Sequence, residues 1–426
     1  MREMKDSGIE WIGQIPKDWS LKKGRYLFVQ RNDRGNDENL QLLSPSQKFG
    51  VIPQSLLEDL TTQTAVKLKE NTDLSTLKTV HKGDFCISLR SFQGGFEYSE
   101  YEGVVSPAYQ IFYKKEDLVN TYYKYIFKDS SFISKMNSYT MSLRDGKNIS
   151  YFDFGNTYLP LPTVCEQQQI ADFLDTKCSE IDATAEDIQK EIDLLEEYKK
   201  SVITEVVTKG LNPDAEMKDS GIEWIGEIPK DWDIHPVYAY FEEGKTKNYR
   251  MQEQNLLSLS YGRIIRKDIN TNGGLLPASF NTYNVVEAGD IIIRPTDLQN
   301  DKRSLRTGLV KEQGIITSAY IDLRPKKDVN SEYYHYLLHS YDIIKVFYNM
   351  GNGVRQGLNY SEFAKLLLLE PSQAEQQQIV DYLNAQCTEI DTLIADKKRQ
   401  LDILAEYKKS LIYEYVTGKK EVPVNE

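Results

Sequence analysis

Two stretches of the chain carry an apolar residue every seven positions. Within residues 163–210 this series is Leu174, Ile181, Ile188, Leu195 and Val202. A second apolar set lies four positions after members of the first: Cys178, Ala185, Ile192 and Val206. This spacing is typical of the two core positions of a coiled coil. It predicts a helix of about 42 residues, roughly 60 Å long at 1.5 Å per residue.

Residues 372–418 repeat the pattern in the same phase, with Leu383, Ile390, Leu404 and Leu411 joined by Cys387, Ile394 and Leu401. Three lysines interrupt the two series: Lys199, Lys397 and Lys408. One interpretation is that each helix packs only on its own domain. Four consecutive heptads are more than a short docking helix needs, so we expect the two helices to pack on each other, antiparallel.

In the block that precedes each of these segments, apolar residues alternate with polar ones instead of recurring every seven positions. Segments such as "DFCISLR" and "AYQIFY" in the first block, and "DIIIR" and "AYIDLR" in the second, predict strands. "NTYYKYIFKDSSFISKM" and "SEYYHYLLHSYDIIKVFYNM" predict one helix in each block. Each block is therefore predicted to be a mixed α/β domain.

The chain is a duplicated unit. "MKDSGIEWIGQIPKDW" at residues 4–19 returns at 217–232 with one change, Gln14 to Glu227. "EQQQIADFLDTKCSEID" from Glu166 matches "EQQQIVDYLNAQCTEID" from Glu375. Residues 4–19 and 217–232, here called the junction motifs, each precede a variable block, and each block precedes a long helix. The second helix ends as if it continued into the first junction motif, so the repeat is circular.

These repeats predict an α/β (α+β) fold: two mixed α/β domains in a pseudo-twofold arrangement, joined by two long antiparallel coiled-coil helices. The predicted segments are domain 1 (1–162), helix 1 (163–210), domain 2 (211–371), helix 2 (372–418) and a C-terminal tail (419–426). The apolar residues of the junction motifs are expected to fix each junction: Trp11, Ile12, Ile15 and Trp19, and Trp224, Ile225, Ile228 and Trp232.

The net charge of −12 argues against a nucleic-acid partner when the chain is taken as a whole, but the distribution of charge among its segments does not. The helical segments 163–210 and 372–418 carry −7 and −3, and residues 211–232 carry −4. The variable blocks 20–162 and 233–371 carry +2 and +1. The acidity therefore belongs to the connecting segments, and the charge permits DNA binding by the blocks.

Catalytic and metal-binding patterns are absent from the sequence. His335 and His339 are spaced like a zinc pair, but Lys124 and Lys128 occupy the equivalent positions, so we expect these side chains to face solvent or phosphate. No phosphate-binding glycine loop is present, and four histidines without a nucleophile do not suggest acid–base chemistry. The four cysteines lack metal or disulfide spacing, and neither an export signal nor a membrane span is evident. We expect a non-catalytic, cytoplasmic chain without a metal site.

The paired "SGIEWIGxIPxxW" openings and the "EQQQI" helix after each block resemble the specificity subunit of type I restriction–modification systems. This resemblance covers essentially the whole chain. It implies two target-recognition domains, each reading one half of an asymmetric site in double-stranded DNA, with the helices as spacer. It also implies two methyltransferase (modification) subunits and restriction (motor) subunits as partners. S-adenosylmethionine, ATP and Mg²⁺ would belong to those partners, and this chain would hold no cofactor.

Polar and basic residues crowd the strand ends that are the best candidates for DNA contact. In the first block these are Arg90, Ser91, Phe92, Gln93 and Gly94. In the second block they are Arg294, Thr296, Gln299, Asn300, Lys302, Arg303 and Arg306. Residues after the predicted domain helices are expected to clamp phosphates: Arg144 and Lys147, and Arg355 and Gln356.

Two other functions remain open at this point. A pseudosymmetric scaffold that binds only proteins would explain the constant frame, but two strongly diverged blocks favour two different recognition tasks. An enzyme fused to a recognition unit would need a catalytic motif, and none is visible.

Overall fold

The computed structural model describes residues 2–35, 40–61, 76–88, 95–115, 117–139, 149–269, 279–296, 298, 305–350 and 357–423. The chain forms two compact units. Unit 1 comprises residues 1–188 and 399–426, and unit 2 comprises residues 189–398. The division falls inside both long helices, whereas the sequence suggested each helix as a segment of its own.

The described part of unit 1 contains twelve strands and five short helices, followed by the start of the first long helix. The strands are β1 (Met4–Asp6), β2 (Gln14–Pro16), β3 (Ser20–Lys23), β4 (Phe28–Arg31), β5 (Leu43–Ser46), β6 (Gly50–Pro53), β7 (Lys78–Val80), β8 (Phe85–Ile87), β9 (Phe96–Tyr98), β10 (Gly103–Val105), β11 (Gln110–Lys114) and β12 (Tyr158–Leu161). The helices are α1 (Gly24–Leu27), α2 (Gln54–Leu60), α3 (Asn120–Ile126), α4 (Ser130–Ser138), α5 (Tyr151–Asn156) and α6 (Val164–Lys209).

Unit 2 repeats this order in its described residues. The strands are β13 (Met217–Asp219), β14 (Glu227–Pro229), β15 (Asp233–Pro236), β16 (Phe241–Glu243), β17 (Leu257–Ser260), β18 (Arg263–Arg266), β19 (Asn284–Val286), β20 (Ile291–Ile293), β21 (Thr307–Leu309), β22 (Gly314–Ile316), β23 (Ile321–Pro325) and β24 (Leu367–Glu370). The helices are α7 (Val237–Tyr240), α8 (Ser331–Ile343), α9 (Tyr360–Phe363) and α10 (Gln373–Val416), with 3₁₀ turns at Tyr249–Met251 and Val346–Asn349.

Each unit is built on a four-stranded antiparallel sheet with the same topology. The strand order is β4-β11-β8-β9 in unit 1 and β16-β23-β20-β21 in unit 2. The inner strands β8 and β20 are fully buried because their apolar runs, such as Ile291–Ile293, face protein on both sides. The mixed α/β domains predicted from the alternating pattern are confirmed.

The two ends of each variable block leave the domain side by side. In unit 1, β3 pairs antiparallel with β12, so that Ser20 lies opposite Leu161. In unit 2, β15 pairs with β24, so that Asp233 lies opposite Glu370. A block therefore enters and returns through one two-stranded ribbon, which makes it a separable module.

The single helix predicted in each block is wrong at its C-terminal half. In unit 1 it breaks into α3 and α4, because the Asp129 side chain accepts hydrogen bonds from the backbone N–H groups of Ser131 and Phe132 and caps a new helix. In unit 2, α8 ends at Ile343 and Lys345 adopts a left-handed conformation (φ 66°) before the 3₁₀ turn. A polar cap and a backbone reversal override the apolar periodicity.

Each junction motif folds as a small hairpin against the start of a long helix. Trp19 is buried and its Nε1–H donates to Glu166 Oε1 at 3.3 Å. Trp232 makes the equivalent bond to Glu375 Oε2 at 3.1 Å. Trp224 is a weaker anchor than expected. The residue is 45% exposed, although its ring lies 6.4 Å from that of the buried Tyr341, centroid to centroid, whereas Trp11 is buried among the aromatic side chains of unit 1.

The end of a long helix meets a junction motif in both units. In unit 1, Lys419 Nζ donates to the Ile12 carbonyl oxygen at 2.7 Å. In unit 2, Lys209 Nζ donates to the Ile225 carbonyl oxygen at 3.4 Å. The first contact joins residues near opposite ends of the sequence and the second lies within a continuous segment, as the circular repeat predicts.

The long helices pair antiparallel within each unit. In unit 1, Lys408 Nζ lies 2.6 Å from Asp182 Oδ1. In unit 2, the repeat-equivalent pair Lys199 and Asp391 lies at 2.7 Å, and Lys397 pairs with Glu191. The three lysines that interrupt the apolar series are thus each matched by a carboxylate on the facing helix. Such partly exposed pairs contribute at most about 1 kcal/mol each, so they fix helix register more than stability.

Candidate nucleic-acid interface

The predicted recognition loops are hairpin connections at corresponding sheet positions. The first loop, residues 89–94, joins β8 to β9, and its base is closed by a hydrogen bond from Ser88 N to Gly95 O at 2.7 Å. The second loop, residues 295–305, joins β20 to β21, and the bond from Arg294 N to Arg306 O at 2.8 Å closes it. The same backbone closure therefore holds loops of different length and sequence.

Most of the predicted contact residues lie outside the described residues: Arg90, Ser91, Phe92, Gln93, Gly94, Arg144, Lys147, Gln299, Asn300, Lys302, Arg303, Arg355 and Gln356. Arg294 and Thr296 are described. Arg294 is half-buried at the loop base, and Thr296 is exposed two residues further along the loop. Their assignment as DNA contacts remains a prediction.

The structure joins described residues that flank these segments. In unit 2, Leu358, just after residues 351–356, donates its N–H to the carbonyl oxygen of Pro295 in the second loop at 3.0 Å. In unit 1, Gln110 pairs with Ile87 beside the first loop, and its side-chain amide donates to Ile149 O at 3.2 Å. Ile149 directly follows residues 140–148. In each unit, a described residue that follows the predicted phosphate clamp is therefore connected to a residue at or beside the base of the predicted loop.

Arg306 corrects the sequence-based assignment. Its side chain is 0% exposed, so its guanidinium is not presented to DNA. Nη1 donates to the Thr296 carbonyl oxygen at 2.6 Å, and the backbone N–H is accepted by the buried carboxylate of Asp342. Burial raises the pKa of Asp342 to about 6, against the opposing effect of the Arg306 N–H bond. Arg306 is a positioning residue that ties the two ends of the second loop together.

Replacing Arg306 by methionine is expected to lower the free energy of unfolding of unit 2 by about 2–3 kcal/mol. The substitution keeps the apolar stem but leaves the Thr296 carbonyl without its charged donor. Denaturant unfolding measures the loss. Arg306→Lys, which retains a charge and a donor, is expected to lose less. Equal stability of wild type and Arg306→Met would show that the loop base does not depend on the guanidinium.

A second structural element packs beside the strand that follows each loop, and the sequence did not reveal it. It is a β-hairpin, β5–β6 in unit 1 and β17–β18 in unit 2, here called the tip hairpin. Its turn contains an aromatic residue followed by a glycine with positive φ: Phe49 and Gly50 (76°), and Tyr261 and Gly262 (78°). A Cβ on Gly262 would lie 3.1 Å from the Leu305 side chain, at the end of the second loop. The shared "LLSxS…[FY]G" segments were the available signal.

The tip hairpin of unit 2 presents an aromatic and a basic side chain. Tyr261 is 82% exposed, although it adopts a left-handed conformation (φ 46°) that is unfavourable for a side chain. Arg263 is also exposed and approaches Asp391 at 3.3 Å. An exposed ring on a strained turn beside a recognition loop has the chemistry for contact with a base or sugar.

Tyr261→Gly is expected to separate stability from binding. Glycine adopts positive φ without strain, so the free energy of unfolding should be unchanged or rise by up to about 1 kcal/mol. Loss of the ring is expected to weaken DNA binding by about 1 kcal/mol, roughly fivefold. Thermal unfolding and a DNA-binding titration measure the two effects. Tyr261→Phe keeps the ring and should bind like wild type; undiminished binding by Tyr261→Gly would remove the tip hairpin from the interface.

The positions of His335 and His339 differ from the expectation that they face solvent or phosphate. Both are half-buried, and burial lowers the pKa of His335 to about 3 and that of His339 to about 4. His339 Nδ1 lies 3.4 Å from Thr307 Oγ1 on β21. Its counterpart Lys128 contacts Glu97 at 2.5 Å and the Gln47 carbonyl oxygen at 3.1 Å. These positions therefore connect the domain helix to the strand after the recognition loop.

One set of metal-ligating side chains occurs among the described residues, formed by Asp233, His235 and Glu370 on the β15–β24 ribbon of unit 2. It lies apart from the recognition loop in the chain and involves none of the predicted DNA contacts. In the part of the chain that the structure describes, no helix has the length and apolarity required to cross a membrane.

Comparison with known proteins gives consistent similarities. Residues 15–194 match the family model described as "Type I restriction modification DNA specificity domain". The chain is 25% identical over 440 residues to a putative type I restriction enzyme MjaX specificity subunit of Methanocaldococcus jannaschii, covering 96% of each protein. It is 23% identical over 439 residues to the MjaVIII specificity subunit of the same organism, covering 96% of this chain and 94% of that protein.

Two solved structures share the fold. One belongs to a study of complex assembly and conformational transition of the type I R-M system, with a TM-score of 0.68 at 13% identity over 95% of this chain and 99% of that chain. The other is the HsdS subunit from Thermoanaerobacter tengcongensis, with a TM-score of 0.51 at 12% identity over 95% and 98%. At these identities the structural similarity concerns the fold.

Proposed function

We propose that the chain is a specificity subunit of a type I restriction–modification system and that each unit reads one half of a bipartite, asymmetric site in double-stranded DNA. The family match of residues 15–194 and the similarity to two such subunits along nearly the whole chain support this proposal. One observation carries the proposal. The two units share a topology, a junction contact and a loop closure, while the loops themselves differ in length and sequence. A constant frame with two different reading surfaces suits a site whose halves differ.

The reading surface of each unit consists of the recognition loop and the tip hairpin in this proposal. The loop offers side chains for base edges, and the hairpin offers an aromatic ring and basic groups for sugar and phosphate. Arg306 and the backbone closures hold the described ends of the loops. Fixing the loop ends before binding reduces the entropy lost on association.

The frame binds the partners in this proposal. Two methyltransferase subunits would dock on the constant part of the chain, and restriction subunits would join that assembly. S-adenosylmethionine, ATP and Mg²⁺ would be bound by those partner subunits. This chain supplies sequence recognition and position, and it performs no bond-making step.

DNA binding at varied salt separates this function from a scaffold that binds only proteins. The purified chain with its methyltransferase subunits is expected to bind cognate DNA with a log–log salt slope of about −0.9 for each phosphate contacted. Labelled S-adenosylmethionine should give background incorporation with the chain alone and incorporation into DNA with the methyltransferase subunits. A flat salt dependence without preference for cognate over random DNA would favour the scaffold.

A further inference from the structure

The β15–β24 ribbon of unit 2 carries three potential metal ligands on one face. Asp233 lies directly opposite Glu370, and His235 is two residues further along the same strand and therefore on the same face. One ligand atom from each residue lies within 4.8 Å of the others. His235 Nε2 and Glu370 Oε2 are 3.3 Å apart. This separation is close to the edge of a tetrahedron whose ligands lie about 2.0–2.1 Å from a central Zn²⁺.

A buried tyrosine lies beside the cluster. Tyr240 is 9% exposed, and its ring lies 6.1 Å from the His235 imidazole, centroid to centroid. Burial, and after it a side-chain hydrogen bond with Glu370, raises the pKa of the phenol. A hydroxyl group that contacts a ligating carboxylate can hold that carboxylate in place for an ion.

The duplicated unit supplies an internal comparison. The β3–β12 ribbon of unit 1 has the same register, and Ser20 lies opposite Leu161 where Asp233 lies opposite Glu370. All four positions of the cluster differ between the repeats, from Ser20, Lys22, Leu27 and Leu161 in unit 1 to Asp233, His235, Tyr240 and Glu370 in unit 2. The changes introduce four groups able to coordinate or support an ion, in place of two leucines, a serine and a lysine.

We propose that Asp233, His235 and Glu370 bind one divalent transition-metal ion, with Zn²⁺ as the reference ion, and that the Tyr240 hydroxyl supports this site. Water completes the coordination, because the ribbon face is open to solvent. An imidazole together with two carboxylates favours Zn²⁺ over Mg²⁺, which prefers oxygen ligands in octahedral geometry. The inference goes beyond DNA recognition and replaces the sequence-based expectation that the chain has no metal site.

The ion would hold together the two ends of the second variable block. Asp233 is the first residue of the block after the junction motif, and Glu370 is the last residue before the segment that leads into α10. Coordination by both would join the two ends of the block where it meets the frame. An ion that binds the folded state and not the unfolded chain stabilises the folded state.

The test uses the full-length chain, freed of metal with a chelator and titrated with ZnCl₂ in a calorimeter, with metal content checked by mass spectrometry. Wild type is expected to bind one Zn²⁺ and to unfold at a higher temperature with it. His235→Lys and Glu370→Leu install the residues that the folded ribbon of unit 1 already carries. Each should weaken Zn²⁺ binding at least tenfold and remove the thermal shift, while circular dichroism confirms that the variants fold.

MgCl₂ at the same concentrations is expected to leave the unfolding temperature unchanged. Absence of stoichiometric Zn²⁺ binding by wild type would overturn the proposal. Binding by both variants with wild-type affinity would also overturn it, since the ion would then lie elsewhere. Neither result would bear on the proposed DNA recognition, which the salt-dependent binding experiment tests separately.

Discussion

Replacing residues 20–162 by the corresponding block of a similar specificity subunit is expected to change one half of the methylated DNA site and leave the other half unaltered. The block begins at Ser20 and ends beside Leu161, which lie opposite each other on one ribbon. Its recognition loop and tip hairpin belong entirely to the exchanged segment. Each wrong base pair costs about 1–3 kcal/mol, so a new reading surface should redirect methylation almost completely.

The exchange succeeds only if the new block fits the frame. Contacts to preserve include the bond from Trp19 Nε1 to Glu166, which lies outside the block, and the bond from the Tyr122 hydroxyl to Val416 O at 2.8 Å. Methylome sequencing of cells that express the chimera with the methyltransferase subunits reads both half-sites at once. Replacing residues 233–371 in the same way should instead change the other half of the DNA site. A change in both halves after one exchange would contradict independent reading.

Adding one heptad to both long helices is expected to lengthen the spacer between the half-sites by one to three base pairs. The insertions belong after Ile188 and after Lys398, where both helices pass from one unit to the other. They leave the antiparallel pairs inside each unit untouched, including Lys408 with Asp182 and Lys199 with Asp391. Seven residues add about 10 Å of helix, or roughly three base-pair rises, and any tilt to the DNA axis reduces that distance.

The half-site sequences should stay the same, because no reading segment is altered. A four-residue insertion at the same points is the matched control. It shifts the apolar series out of phase and is expected to lower stability without giving a defined new spacing. Methylome sequencing again provides the readout. An active, folded heptad variant that methylates the original spacing would show that these helices do not set the gap.

Local pattern predicted the elements of this fold better than it predicted their side-chain environments. The heptad series specified α6 and α10 closely, because an apolar repeat of seven sustained over several turns is typical of long paired helices. Asp129 broke a predicted helix, because its side chain caps the backbone more effectively than the apolar pattern continues it. Trp224 has the same local sequence as Trp11 but is exposed, because burial depends on what each unit packs against the motif.

The candidate site was also predictable only in part. The positions of the loops at strand ends were predictable, since turn residues follow buried strands in both blocks. The burial of Arg306 was not predictable, because it depends on Thr296 and on Asp342, which belongs to a helix distant in sequence. The Asp233, His235 and Glu370 cluster was hidden for the same reason: the strands that carry it pair only after the whole block has folded between them.

If the constant frame carries two blocks that recognise DNA independently, it should accept two copies of the same block. The decisive measurement is the methylome of cells expressing a chain in which a second copy of residues 20–162 replaces residues 233–371. The equivalent junction contacts, Trp19 with Glu166 and Trp232 with Glu375, allow the copied block to sit on the second frame. Independent reading predicts a bipartite site with two identical halves, both equal to the half read by the first block. A folded, active chimera that still methylates the original asymmetric site would contradict it.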